Sequence, residues 1–152
     1  MGGEKSITTN SKKKILIVDD EPDINFALKI VLEENGYDEV TTFTNPHLAL
    51  DSFRKGLYDL LILDIRMPKM NGFELYERMK KIDNKAKVCF LTAGELDRGS
   101  HREIFEENQF IRKPIENKEL LMIVNEIINK ALHDSYRYVN HVNRFGLHFF
   151  AI

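Results

Sequence analysis

The chain has no tryptophan and a single cysteine, Cys89. One cysteine excludes an internal disulfide and fits a reducing compartment. No apolar run approaches the roughly 20 residues of a membrane-spanning helix. The first residues, MGGEKSITTNSKKK, lack the apolar centre of a secretory signal. Net charge is -2, so no global basic field points to nucleic acid. The Lys12–Lys14 run is too short to change that and reads as a solvated strand entrance. The five histidines, His47, His101, His133, His141 and His148, show no metal-ligand spacing and read as surface residues. These absences predict a cytoplasmic protein with neither membrane nor nucleic-acid contacts. What is present suits one globular domain: 152 residues, 43% hydrophobic and 30% charged. A chain of that length buries roughly 70% of its unfolded surface on folding.

Short apolar runs alternate with helical patterns. Ile15–Val18 is a continuous β-prone run. Ile24, Ala27, Leu28, Val31 and Leu32 then repeat at helical spacing, beginning beside Pro22 and stopping at Gly36. Val40–Phe43 reads as a second strand. Asn45 and Pro46 form a cap and first helical residue, opening a helix that ends near Gly56. Leu60–Leu63 is a third strand. A helix carrying Phe73, Leu75, Tyr76 and Met79 follows Gly72, so Asn71-Gly72 is a loop, not a hairpin turn. Val88–Leu91 is a fourth strand and Gln109–Ile111 a short fifth. Between them Leu96–Glu107 is a poor helix with few apolar anchors. Glu116–Leu132 is strongly amphipathic, with Leu120, Leu121, Val124, Ile127, Ile128 and Ala131 on one face. Five strand–helix alternations predict an α/β fold: a parallel sheet, helices on both faces, strands buried on both sides. Ligands of such sheets bind beyond the carboxyl ends of the strands, where strand order reverses.

The residues at those strand ends carry the functional signal. The first strand runs into Asp19, Asp20 and Glu21, and the third into Asp64. The fourth ends at Thr92 and the fifth runs to Lys113. Two carboxylates about 4 Å apart repel by about 4 kcal/mol at an effective dielectric near 20. Such a cluster must take up protons, move apart or bind a cation. Oxygen ligands select a hard cation, Mg²⁺ before Ca²⁺, and Mg²⁺ typically pairs one or two carboxylates with a phosphate. Carboxylates, a hydroxyl and a lysine together read as a phosphoryl-transfer site in which one carboxylate is the nucleophile. Singly, each of these residues is an ordinary loop or cap residue.

The motifs ILIVDDEP, LLILDIRMPKMNGFEL, FLTA and FIRKPI, in that order, resemble the receiver domain of two-component response regulators. The resemblance covers about Lys14 to Leu132. It implies a doubly wound, flavodoxin-like five-stranded sheet of order 2-1-3-4-5. It further implies that Asp64 is the phosphoacceptor, served by a histidine kinase, a phosphotransfer protein or a small acyl phosphate. Mg²⁺ would be held directly by Asp20 and Asp64 and by the Arg66 backbone carbonyl, with Asp19 acting largely through water. Thr92 and Lys113 would contact the phosphoryl group, Phe110 would be the switch aromatic, and Lys113–Pro114 would be cis. Glu21 is a helix-start residue favoured by the dipole. The implied protein is a phosphoacceptor switch, not an enzyme with a separate substrate.

Two other classes fit less well. A haloacid-dehalogenase-type enzyme needs a second Asp two residues after the first, and that position is Arg66. A flavodoxin-like cofactor carrier needs a phosphate loop where Asp19-Asp20-Glu21 would repel phosphate. Cys89, mid-strand, reads as inert core, and Met67 and Met70 as packing residues. The expected organisation is a mobile leader over 1–12, a receiver over 13–133 and an aromatic extension over 134–152. With no output domain, the signal is expected to leave through protein contacts. The expected surface is the fourth helix, fifth strand and fifth helix, engaging a second copy or another protein. In the extension, Tyr138, Val142, Phe145 and Phe149 keep helical spacing, consistent with packing on its own domain, ordering in a dimer, or docking.

Overall fold

The computed structural model describes residues 12–95 and 99–130. The elements are β1 (Lys14–Val18), α1 (Pro22–Glu34), β2 (Glu39–Phe43), α2 (Pro46–Ser52), β3 (Leu60–Asp64), α3 (Gly72–Ile82), β4 (Lys87–Thr92), α4 (Arg102–Glu107) and β5 (Gln109–Arg112). A final helix, α5, covers residues 117–130. The strands form one parallel sheet of order β2-β1-β3-β4-β5, as expected.

The sheet's uninterrupted apolar strands follow from its two covered faces. Leu16, Val18, Leu61, Leu63, Val88 and Phe90 point to one side, into a core shared with α2, α3 and α4. Ile15, Ile17, Leu60, Ile62, Cys89 and Leu91 point to the other, packing on α1 and α5 through Leu28, Leu32, Leu120 and Val124. Each such side chain contributes roughly 1.5–3 kcal/mol on full burial. Met67 and Met70 pack in the first core, and burial pushes the Cys89 thiol up to about 12, so both packing assignments hold.

The helix starts use the expected chemistry. Pro22 opens α1, and Asn45 accepts the His47 amide at 2.9 Å ahead of Pro46. Asn71 caps α3 by accepting the Glu74 amide at 2.9 Å. The ends diverge more. The second helix stops at Ser52, short of Gly56, because Phe53 turns inward and is fully buried. The fourth helix begins only at Arg102, after residues 99–101 in turn conformations. His101, read as a surface residue, is half-buried, its ring 4.4 Å from that of Phe73. The leader (apart from Lys12), residues 96–98, Ala131, Leu132, His133, His141, His148 and the 134–152 extension lie outside the described residues.

Candidate functional site: an acidic cluster with one lysine

The site lies where β1 and β3 adjoin, the point at which strand order reverses. The register Val18↔Leu63 sets Asp19 beside Asp64. Asp19 leaves the sheet by a tight turn in which its Oδ1 accepts the Glu21 amide at 2.9 Å. Asn25 fixes the same turn. Its Nδ2 donates to the Asp19 carbonyl at 2.9 Å and the Phe43 carbonyl at 3.1 Å. Asp19 and Asp64 are buried, Asp20 half-buried and Glu21 exposed. The ligand atoms of Asp19, Asp20 and Asp64 all lie within 4.8 Å of one another.

Lys113 closes the cluster from β5. Its amide donates to the Thr92 carbonyl at 2.7 Å, extending the β4–β5 ladder, and Lys113–Pro114 is cis as expected. Its Nζ lies 2.8 Å from Asp19 Oδ2, 3.2 Å from Glu21 Oε1 and 3.5 Å from Asp64 Oδ1. The contact with Asp19 pairs the ammonium with a buried carboxylate. Burial alone would lower the Lys113 pKa, but Asp19, Asp64 and Glu21 outweigh it and hold the ammonium charged.

The carboxylates respond in the opposite sense. Burial, reinforced by the Asp19 charge and by Asp20, holds Asp64 well above the usual carboxylate range, with Lys113 opposing. Burial likewise raises Asp19 despite Lys113 and the Glu21 amide. A single ammonium does not neutralise this cluster. All-oxygen donors and excess negative charge fit a hard divalent cation such as Mg²⁺. Among the donors Asp20 is the freest, because both Asp19 oxygens already face Lys113 or the Glu21 amide.

Around the cluster, Thr92 is buried, and its Oγ1 has no hydrogen-bond partner among the described residues. Phe110 is half-buried, 5.2 Å from Phe90 and stacked 4.5 Å from Phe105. Thr92, Phe105 and Phe110 line one open groove of about 520 Å³. The expected site residues Asp19, Asp20, Asp64 and Lys113 thus converge, with Thr92 and Phe110 on the adjoining strands.

Four features escaped the sequence reading. Asn25 sits on the apolar stripe of α1 with Leu28 and Leu32, and a polar residue on that stripe was the available signal. Glu21 makes no side-chain cap and reaches Lys113 instead. The Arg66 guanidinium donates to the Glu95 carbonyl at 2.9 Å, tying two site loops together. Gly72 approaches the Asp64 backbone more closely than any side chain would allow.

Residues 15–125 match the response regulator receiver domain family. The chain belongs to that family. Among curated relatives, a probable transcriptional regulator, ycf27, of Porphyra purpurea is 37% identical over 80% of this chain and 50% of its own length. Chemotaxis protein CheY of Bacillus subtilis (strain 168) is 29% identical over 76% of this chain and 98% of its own. The receiver domain structure from Methanospirillum hungatei JF-1 aligns with a TM-score of 0.73 at 29% identity, covering 82% of this chain and 99% of that one. The chain spans about half the length of several curated relatives it matches. Receiver domains are phosphoacceptor switches of two-component systems and interact with histidine kinases or phosphotransfer proteins. No described helix is long and apolar enough to cross a membrane.

Proposed function

We propose that this receiver takes a phosphoryl group on Asp64 from a histidine kinase or phosphotransfer protein, in the cytoplasm, with Mg²⁺ as cofactor. Asp20, Asp64 and the Arg66 backbone carbonyl would hold the cation directly, and Asp19 would hold it through water. The observation that carries the reading is one buried carboxylate with two further carboxylates and a lysine around it at the reversal point of the sheet.

An Asp64 oxygen attacks the phosphorus. The bond from phosphorus to the donor's imidazole nitrogen breaks, the electron pair leaves on that nitrogen, and the imidazole takes up a proton. With an acyl phosphate, the phosphorus–oxygen bond breaks and a carboxylate leaves. Water attack later returns the Asp64 carboxylate and inorganic phosphate. A bound Mg²⁺ would supply charge neutralisation at the site. Lys113 pairs with a phosphoryl oxygen, and Thr92, whose hydroxyl has no partner among the described residues, donates to another. Asp64 must be ionised to attack, and Lys113 opposes the burial and the Asp19 charge that favour its protonated form.

The charge added at Asp64 draws Thr92 inward and frees room for Phe110 on the shared groove. The signal then leaves through α4, β5 and α5 as altered affinity for a second copy or a separate partner. A coupling of about 1–3 kcal/mol is typical of such switches. Intact mass after incubation with acetyl phosphate and Mg²⁺ tests the proposal. One phosphoryl group should appear in the wild type and none in Asp64→Asn or with the metal chelated. Equal gain in the variant would refute it.

A further inference from the structure

Glu21 occupies a position that a helix-start acid does not require. It is the residue before α1, yet its carboxylate makes no bond to the helix amides. The turn is closed instead by Asp19 Oδ1 on the Glu21 amide. The longer Glu21 side chain crosses from the β1–α1 turn to the residue after β5 and meets Lys113 Nζ at 3.2 Å. Lys113 thus divides itself among three acids, and Asp64, at 3.5 Å, is the most distant. Of the three, Asp19 and Asp64 are buried, whereas the Glu21 side chain is 61% exposed.

We propose that Glu21 is a positioning residue that sets donor specificity: it holds Lys113 back from Asp64 and adds negative charge at the mouth of the site. The inference rests on the reading of Asp64 as phosphoacceptor. An incoming phosphoryl group needs Lys113 and must draw it from Glu21. A donor carried by a docked protein meets this cost with contacts made elsewhere. A small free acyl phosphate has no such contacts, so Glu21 disfavours it selectively. An exposed ion pair of this kind changes an equilibrium by about two- to five-fold.

Two variants separate the charge from the tether. Glu21→Gln keeps the length and removes the charge. Glu21→Asp keeps a charge at the mouth but is one methylene too short to reach Lys113. Phosphorylation rates should be measured against acetyl phosphate concentration at fixed Mg²⁺ and ionic strength. Beryllofluoride, an anionic phosphoryl mimic that needs no chemistry, should be titrated in parallel by NMR. Glu21→Gln should lower the apparent KM for acetyl phosphate and the beryllofluoride Kd by about two- to five-fold, and Glu21→Asp should show part of that gain. Unchanged KM and Kd in Glu21→Gln, with the wild type phosphorylated, would overturn the inference alone. No phosphoryl gain in the wild type would overturn the Asp64 reading as well.

Discussion

The Gly72 α-carbon packs directly on the backbone of Asp64: a Cβ added at Gly72 would lie 2.3 Å from the Asp64 carbonyl oxygen. The Gly72 amide also donates to the Ile65 carbonyl at 2.8 Å, closing the loop that follows β3. The contact is with backbone, so no side-chain rotation relieves it. Gly72→Ala should therefore displace the loop carrying Arg66 and Met67. A loss of about 1–3 kcal/mol, read as a lower thermal midpoint, is expected for overpacking of this kind. Phosphorylation should slow in the same variant, and wild-type stability would count against the contact.

Asn25 bonds two backbone carbonyls from inside the protein. Asn25→Leu fills the space but leaves the Asp19 carbonyl without that donor, while the Phe43 carbonyl keeps the Asp19 amide at 3.2 Å. A buried, unsatisfied polar group costs about 1–3 kcal/mol. Urea unfolding should show this loss at unchanged slope. Weaker Mg²⁺ binding should accompany it, because the Asp19 turn loosens.

The pH dependence of stability has a definite sign. Asp64 is held above its ordinary value of 3.8, so the folded state keeps a proton the unfolded state has lost. Stability from this group is fully present below that ordinary value and is lost as pH rises through the folded value. Asp64→Asn removes the effect. Without metal, the variant should match the wild type near pH 4 and exceed it by about 1–3 kcal/mol at pH 8. Thermal melts across that range provide the test, and Mg²⁺ should narrow the gap. A gap that shrinks as pH rises would contradict the assignment.

Asp19 and Asp20 should differ as metal ligands. Both Asp19 oxygens face existing partners, whereas Asp20 is half-buried beside Asp64. Asp20→Asn should weaken Mg²⁺ binding more than Asp19→Asn in a calorimetric titration. The reverse order would make Asp19 the direct ligand.

Much of this architecture was legible in one dimension because its causes are local. Apolar runs such as Leu60–Leu63 mark strands covered on both faces, and Asn45-Pro46 and Asn71 carry their own capping chemistry. The acids at Asp19, Asp20 and Asp64 were visible because they stand where apolar strands end. What was missed depends on partners distant in the chain. Glu21 meets a lysine 92 residues away, and Asn25 bonds a carbonyl 18 residues away. The end of α2 was misplaced because inward packing of Phe53, not a helix-stop residue, breaks the helix. His101 packs at a tilt against Phe73, a tertiary contact without a periodic signature.

The central claim is that Asp64 itself carries the phosphoryl group. Borohydride reduction converts an aspartyl phosphate to homoserine, which marks the modified residue covalently. The phosphorylated wild-type chain should be reduced, digested and mapped by mass spectrometry. Homoserine at position 64, dependent on Mg²⁺ and absent without donor, is the predicted result. Homoserine at position 19 or 20, or none in a chain that has gained phosphoryl mass, would contradict the account.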